Sequence, residues 1–377
     1  ARTQNVPLEE AVGRVLAEPV FADRDFPPFD RVTMDGIAVR FASLTNQNQA
    51  FIIEGTQAAG QPPLKLRQTD HCIEVMTGAM LPEGTDTVIR YEDVSISDGV
   101  ARVAAEVTKG QSIHVRGQDA RQGQILLEPG LALSAAEIAL LASVGKKMVA
   151  VVGYPSTAII STGDELVDIH DTPLPWQVRR SNSYALQAAF RRMQIDATLF
   201  HVPDQRDVLA TTLADIFQRF QIVVLSGGIS KGKFDYVPEA LEKLGIRKLF
   251  QGVSQRPGKP FWFGTSSSNT VFALPGNPVS TYLCFYRYIK PWIEKSTGLK
   301  PKPQFATLAR DFKFQPPLSF FLQVKIENKE GRLLAHPDEG GGSGDFVNLK
   351  DIDGFIELPK SRSEFQAGES FLFYPFR

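Results

Sequence analysis

Residues 222–236, IVVLSGGISKGKFDY, decide the fold of this chain. The run from Gln221 to Leu225 is short, apolar and rich in β-branched residues, which is typical of a strand buried on both faces of a parallel sheet. A glycine-rich loop follows it, with hydroxyls, cations and a carboxylate supplied by Ser226, Gly227, Gly228, Ser230, Lys231, Lys233 and Asp235. In open α/β folds, a loop at the carboxyl end of such a strand holds anionic ligands. The same residues also fit a plain glycine-rich turn, so this stretch alone leaves both interpretations open.

Three more loops of the same region carry similar chemistry. The apolar run 270–274 ends in Pro275-Gly276-Asn277-Pro278, where Asn277 suits a helix N-cap and Pro278 the first helical position. Arg256-Pro257-Gly258-Lys259-Pro260 is a rigid turn with two cations, and Ser161 ends a predicted strand that leads into Thr162-Gly163-Asp164-Glu165. Four strand-end loops with glycines, hydroxyls, cations and carboxylates predict a phosphorylated ligand with a bound divalent metal.

Strand and helix patterns alternate between about residues 148 and 300, which predicts a doubly wound parallel sheet covered by helices on both sides. The predicted strands are 148–153, 157–161, 196–202, 221–225 and 270–274, and the predicted helices are 182–193, 205–219, 237–244 and 278–295. Ser181, Asn182 and Asp204 precede or begin helices and are interpreted as caps.

The flanking sequence predicts three further units. Apolar spacing over residues 6–20 predicts an amphipathic helix, and Ser134 with Glu137 forms a capping-box pattern before a second helix. These helices predict a split helical N-terminal domain (1–36 and 114–147) with a β-rich domain inserted at 37–113. Short alternating strands after residue 301 predict a C-terminal β-barrel or sandwich (301–377), and the glycine-rich run 340–344 resembles a linker. The α/β domain takes residues 148–300.

Composition excludes several classes of protein. The 377 residues are 43% hydrophobic and carry a net charge of −1, so we expect no general affinity for nucleic acid or anionic membranes. The two cysteines, Cys72 and Cys284, have no metal-ligand spacing and predict reduced cytosolic thiols. Neither a membrane-spanning run nor a signal peptide is visible, so a cytoplasmic location is expected.

The loops also resemble a known family. SGGISKGKFDY, RPGKPFWFG, LPGNPVS and STGDEL are similar to the molybdopterin molybdenumtransferases, which include the C-terminal part of gephyrin. TMDGIAVR (33–40), VMTGAMLPEGTDTVI (75–89), VRGQDARQGQ (115–124) and GGGSGDFVNLKDIDGFIELP (340–359) follow the family's order, so the resemblance covers nearly the whole chain.

The resemblance implies a reaction and a set of site residues. Molybdate is joined to the dithiolene of adenylylated molybdopterin, adenylate is released, and Mg²⁺ is the cofactor; the attacking group is either water or a molybdate oxygen. The implied catalytic residues are Asp35, Asp119, Asp235 and Lys259, and the implied metal ligands are Asp164, Glu165 and Asp235. The implied substrate-binding residues are Thr77, Gly78, Ser161, Thr162, Gly163, Ser181, Asn182, Ser226, Gly227, Gly228, Ser230, Arg256, Pro257, Gly258, Pro275, Gly276, Asn277 and Pro278.

The resemblance further implies a homodimer whose cleft is shared between subunits, with Asp35 and Thr77 acting on the partner's α/β domain, and contacts with other cofactor-biosynthesis proteins. Four positions depart from the family pattern, namely Lys233, Arg180, Arg256 and Ile37. Basic Lys233 and Arg180 stand where acidic residues are usual, which should weaken divalent-metal binding and favour anions. Two rival interpretations are therefore a family member without catalysis that binds or stores the pterin product, and a pterin adenylyltransferase, although the flanking domains argue against the latter.

Overall fold

The computed structural model describes residues 2–45, 49–229, 236–300 and 302–377. Two predicted site residues, Ser230 and Asp235, lie outside these ranges, as does Lys233. The described residues form three six-stranded sheets and several two-stranded ribbons. This is the α/β and β multidomain architecture that the sequence predicts.

Antiparallel ribbons and one α-helix build the N-terminal region. The ribbons pair Thr3–Pro7 with Met148–Val152, Val20–Phe21 with Ile125–Leu127, and Arg31–Val32 with Ile113–His114. The helix Ala135–Ser143 begins at the predicted Ser134 cap, and Glu137 completes the capping box. The domain boundaries stay predictions.

The predicted helix over residues 6–20 is wrong, because this segment pairs with distant strands. Only Leu8–Glu10 form a 3-10 turn, and Gly13 has a φ of 78°, which a right-handed helix does not allow. Val15 and Leu16 instead bridge to Ala132 and Val151, which buries both side chains from extended backbone. The assignment of 148–153 to the central sheet is also wrong. The observed strand Met148–Val152 pairs with Thr3–Pro7 in a separate two-stranded ribbon.

A mixed six-stranded sheet forms the inserted region. Its strands are Gly36–Val39, Ala50–Gln57, His71–Val75, Thr87–Arg90, Val94–Ser97 and Val100–Val103. Gly36 lies at a close approach between strands, because a Cβ at this position would sit 1.9 Å from the carbonyl oxygen of Ile89. This contact explains why a glycine follows Asp35 in the sequence.

The central sheet has four parallel strands and an antiparallel edge. In spatial order its strands are Ala197–Val202, Thr157–Thr162, Ile222–Ser226, Thr270–Leu274, Trp262–Thr265 and Arg247–Gln251. The last two, which the sequence did not reveal, add the antiparallel edge. Every residue of Ile222–Ser226 is buried, which agrees with the apolar run that predicted a strand covered on both faces.

Helices cover both faces of this sheet, close to the predicted ranges. They are Ser181–Arg192, Arg206–Arg219, Val237–Lys243, Pro278–Cys284 and Lys290–Ser296, and the last two are joined by the π-helical turn Phe285–Ile289. Two short strand pieces, Leu166–Val167 and Val178–Arg179, pair beside the sheet. Separate apolar cores lie on the two faces, one around Phe190 and Phe285 and the other around Leu213 and Leu241.

The C-terminal strands close into a small barrel. They are Gln304–Leu308, Ser319–Lys329, Arg332–Pro337, Gly354–Leu358 and Ser370–Pro375, and pairing of the second with the fourth closes the ring. A ribbon of Phe312–Lys313 with Glu364–Phe365 and a 3-10 helix, Phe346–Lys350, complete the unit. Strand Gln255–Arg256 of the α/β region pairs in parallel with Ser319–Phe320, so it joins the central region to the barrel.

Within the described ranges, no helix is both long enough and apolar enough to span a bilayer.

Candidate functional site

The carboxyl ends of the central strands come together as the sequence predicts. Ser226 lies in register with Ser161 on one side and Leu274 on the other. The Asn182 side-chain amide donates to Ser226 Oγ at 3.0 Å and to the Gly276 carbonyl at 2.7 Å. Asn182 therefore ties the Ser226 loop to the Gly276 loop. The predicted capping role of Ser181 and Asn182 is wrong, because the helix begins at Ser181 with Arg180 in the N-cap position.

Two glycines bring their loop onto Thr162. Gly227 and Gly228 have φ values of 101° and 67°, in the region that favours glycine. A Cβ on Gly227 would lie 2.7 Å from the Thr162 carbonyl oxygen, and one on Gly228 would lie 2.9 Å from Thr162 Oγ1. The loop thus needs glycine both for its backbone conformation and for its contact with the neighbouring strand end.

Two buried hydroxyls lie at this edge. Among the described residues, no hydrogen bond satisfies Ser161 Oγ or Thr162 Oγ1, although both residues are buried. Buried polar atoms in native proteins are nearly always hydrogen-bonded, so an orphaned pair at a strand edge indicates a place where a ligand or solvent completes the bonding. Both residues belong to the predicted substrate-binding set.

The predicted metal carboxylates lie directly after these hydroxyls. Asp164 and Glu165 are exposed, and Asp164 Oδ1 accepts a hydrogen bond from the backbone N–H of Asp204 at 3.0 Å. The Glu165 carboxylate lies over Gly163, where an added Cβ would come within 2.5 Å of Glu165 Oε2. Asp204 itself stands one residue before the helix cap, since Gln205 occupies the N-cap position.

Asp164 and Glu165 would supply only part of the oxygen ligands that Mg²⁺ needs. In the part of the chain that the structure describes, no group of three or more His, Cys, Asp or Glu residues could hold a metal ion. Mg²⁺ usually takes one or two protein carboxylates together with water and substrate phosphate oxygens. Asp164 and Glu165 fit that pattern, whereas the third predicted ligand, Asp235, lies outside the described residues.

Arg180 is paired within its own neighbourhood. Its guanidinium forms an ion pair with Asp168, and the Arg180 side chain is only 14% exposed. The hydrogen bond from Arg180 lowers the pKa of Asp168 from its usual value. The expected effect of this basic residue on metal and anion binding is therefore reduced, because a carboxylate twelve residues earlier compensates much of its charge.

A large cavity lies between the α/β region and the C-terminal barrel. It has a volume of about 670 Å³, within the range typical of small-molecule sites. Six predicted residues line it, namely Arg256, Pro257, Gly258, Lys259, Pro275 and Asn277. The cavity thus combines the Arg256–Pro260 turn with the loop that starts the Pro278 helix, and the Gly276 loop links it to the orphaned hydroxyls.

The barrel supplies the wall that the sequence analysis missed. Lys313, Gln323, Glu339 and the glycine-rich segment 340–343 line the cavity. Asn277 Nδ2 donates to Ser343 Oγ at 2.7 Å, and the Ser343 carbonyl accepts from the Val279 N–H at 3.1 Å. The glycine-rich run 340–344, which was expected to be a linker, therefore packs against the Asn277 loop and forms part of the cavity wall. Its match to the family motif was the only signal of this role.

The cavity is mainly cationic. Arg256 and Lys259 are exposed residues that line it, and among the described residues neither forms an ion pair. Lys313 Nζ lies 2.7 Å from Glu364 Oε1, so its charge is partly compensated. Glu339 is the acidic lining residue, and the buried Gln323 Oε1 has no partner in the described part of the chain. This arrangement favours an anion that accepts from the two unpaired cations.

Two predicted residues of the N-terminal region form a pair of their own. Asp35 Oδ1 accepts from the Thr77 backbone N–H at 2.6 Å and from Thr77 Oγ1 at 2.7 Å. These bonds, the backbone one first, lower the pKa of Asp35 from its usual value. Behind them, the Tyr91 hydroxyl donates to Glu74, and burial raises the pKa of Tyr91 to about 12.

Asp119 is held by a histidine that the sequence analysis did not single out. His114 Nε2 lies 2.9 Å from Asp119 Oδ1, and His114 Nδ1 lies 3.0 Å from an Arg31 guanidinium nitrogen. Because arginine can only donate, Nδ1 accepts, and Nε2 carries the hydrogen that is donated to Asp119. Arg31 pairs across a ribbon with His114, and the neighbouring Val32 carbonyl accepts from the Gly78 N–H.

The structure thus groups the predicted residues into two sets. Of the residues that the structure describes, those that line the cavity lie between 255 and 343, so Asp35, Thr77, Gly78 and Asp119 are not part of its wall. The strand-edge residues and the cavity residues adjoin each other through Asn182, Gly276 and Asn277. The carboxylates of the N-terminal region form the second set.

Comparison with known proteins covers nearly the full chain. Three family models match in succession: the MoeA N-terminal region (domain I and II) at residues 1–145, the probable molybdopterin binding domain at 158–295, and the MoeA C-terminal region (domain IV) at 306–376.

Individual relatives agree with these matches. A Synechocystis protein named molybdopterin molybdenumtransferase is 40% identical over 373 residues, which span 97% of this chain and 93% of the relative. A Bacillus subtilis protein of the same name is 31% identical over 98% of this chain and 88% of its own. The crystal structure of the molybdopterin biosynthesis moeA protein from Pyrococcus horikoshii superposes with a TM-score of 0.86 at 27% identity, covering 100% of this chain and 95% of that one.

Proposed function

This chain belongs to the molybdopterin molybdenumtransferase family and is a transferase of molybdenum cofactor biosynthesis, and we propose that it inserts molybdate into adenylylated molybdopterin with release of AMP. The observation that carries this proposal is the cationic cavity at Arg256 and Lys259, which adjoins the glycine-rich strand ends through Asn277 and Gly276. The reaction needs two adjoining anion sites of this kind. One would bind molybdate, a tetrahedral oxyanion, and the other the phosphoanhydride of adenylylated molybdopterin.

The two sites divide the substrates between them. Molybdate binds in the cavity, where Arg256 and Lys259 supply fixed positive charge and Asn277 supplies a polar wall. The phosphates of the pterin nucleotide lie at the strand edge, where Ser161 and Thr162 donate their unpaired hydroxyls and Gly227 and Gly228 allow close approach of the backbone. The hydrogen bonds of Asn182 hold the Ser226 loop beside the Gly276 loop.

Asp164 and Glu165 would hold Mg²⁺ between the protein and the phosphates. The ion would supply Lewis-acid activation and neutralise charge at the leaving phosphate. The exposure of both carboxylates beside the orphaned hydroxyls supports this assignment, since substrate oxygens can complete the ligand set. Asp235 remains the third proposed ligand and a catalytic group.

A homodimer completes the site. Among the described residues, none before Gln255 lines the cavity, whereas Asp35 is hydrogen-bonded by Thr77, and Asp119 by His114, in the N-terminal region. We assign these carboxylates to the cleft of the partner subunit, where they orient the attacking group and accept its proton. Contacts with other cofactor-biosynthesis proteins belong to the same proposal.

The direct test is AMP release from adenylylated molybdopterin by the purified protein, with and without molybdate and Mg²⁺. We expect release that requires both additions and yields a molybdenum-loaded pterin. Tight pterin binding without AMP release would contradict the proposal and move the chain to the binding or storage class. Release that occurs without molybdate would instead indicate a simple hydrolase.

A further inference from the structure

The turn that carries Arg256 and Lys259 is held by a buried glutamine and a partly buried tyrosine outside the predicted site. Gln255 is 3% exposed, and its side-chain amide Nε2 donates to the Pro257 carbonyl at 2.9 Å. The Tyr288 hydroxyl bonds to Gln255 Oε1. Since the Pro257 carbonyl can only accept, the amide nitrogen of Gln255 must face it, and Tyr288 must donate to the amide oxygen.

Tyr288 also contacts the other end of the same turn. Its ring stacks on Phe261 with centroids 4.6 Å apart and an interplanar angle of 14°. Phe261 is fully buried and directly follows Pro260, and its N–H donates to the Gly258 carbonyl at 3.3 Å. One tyrosine thus fixes the residue before the two cations by a hydrogen bond and the residue after them by ring stacking.

The turn has no room to rearrange around this support. Gly258 has a φ of 89°, and a Cβ there would lie 2.8 Å from Gln255 Nε2 and 2.9 Å from Cys284 Sγ. The Lys259 carbonyl accepts from the Val253 N–H at 2.9 Å, which ties the turn back to the segment before it. Burial raises the pKa of Tyr288 to about 12, so its hydroxyl stays a donor across the physiological range.

We propose that Gln255 and Tyr288 are positioning residues that aim Arg256 and Lys259 into the cavity and thereby set its affinity for the oxyanion substrate. Neither side chain needs to touch the substrate. A turn with glycine and free cations would otherwise sample many orientations, and binding would have to order it at an entropic cost. This inference rests on the proposed function, because it takes molybdate as the ligand of the cavity.

The test is Tyr288→Phe, which removes the hydroxyl and keeps the ring stacked on Phe261. We expect the KM for molybdate, and its Kd by isothermal titration, to rise about fivefold, the usual consequence of losing one hydrogen bond, with kcat almost unchanged. Tyr286→Phe is the matched control. Tyr286 is buried two residues away from the partly buried Tyr288, and the Tyr286 hydroxyl faces Tyr282 instead of the turn.

A double-mutant cycle separates positioning from general stabilisation. If Tyr288 acts through the cations, adding Tyr288→Phe to Lys259→Met should weaken molybdate binding by only about twofold, because Arg256 is the one cation of the turn that is left to position. An undiminished effect in that background, or equal effects of Tyr288→Phe and Tyr286→Phe, would overturn the proposal. So would a wild-type protein that does not bind molybdate. Molybdate binding without AMP release would refute the proposed reaction, while the Kd comparison would still test the positioning role.

Discussion

The cations and the ionised carboxylates of the site lie in different regions and are held by different means. Arg256 and Lys259 line a cavity, and the turn that carries them is held by Gln255 and Tyr288. Asp35 lies in the N-terminal region, where Thr77 binds its carboxylate directly and lowers its pKa. One region thus presents positive charge to a cavity, whereas the other holds an ionised carboxylate by direct hydrogen bonds.

Removing the cavity charge should have the largest effect. We expect Lys259→Met to lower kcat/KM for molybdate about 30-fold or more, since a charge-assisted hydrogen bond contributes roughly 2 kcal/mol. Steady-state kinetics with varied molybdate would measure it. Lys313→Met should cost much less because Glu364 already pairs with Lys313. Equal losses in the two variants would show that general cavity charge, and not the Arg256–Pro260 turn, binds the anion.

Removing one hydrogen bond to the Asp35 carboxylate should have a smaller effect than removing the Lys259 charge. Thr77→Val removes one of the hydrogen bonds to Asp35, so the Asp35 pKa should rise towards its ordinary value of 3.8, as followed by ¹³C NMR titration. A depressed carboxyl pKa stabilises the fold above the unfolded-state pKa, and this contribution is lost as pH falls through the folded-state pKa. The free energy of unfolding of Thr77→Val should therefore be lower than that of the wild type at neutral pH, and this difference should shrink near pH 3. Thr77→Ser keeps the hydroxyl and is the control; an identical Asp35 titration in both variants would argue against the hydroxyl's role.

Local sequence patterns predicted the strand-edge half of the site well. The apolar run before Ser226 is buried on both faces, and Asn277 and Pro278 begin their helix at the expected cap and first positions. Both features depend on neighbouring residues alone, so a short stretch of sequence contains them. The approach of Gly227 to Thr162 followed from the parallel sheet, whose strands all end at one edge.

The failures came from contacts between distant segments. Apolar spacing at 6–20 suits a helix, yet Leu16 bonds to Leu131 and bridges to Val151, and these long-range pairings replace local ones. In the same way, Ser343 reaches Asn277 from the barrel, which turned an expected linker into a cavity wall. His114 was missed because its partner Arg31 lies 83 residues away.

The most direct test of the account asks whether the two regions meet across subunits. Asp35→Asn and Lys259→Met would each be expressed alone and then mixed so that subunits exchange. A shared site leaves one intact cleft in each mixed dimer, so an equal mixture should regain about one quarter of the wild-type AMP release, while each variant alone stays nearly inactive. No recovery in verified mixed dimers would contradict the shared cleft, because both residues would then serve a site within one chain.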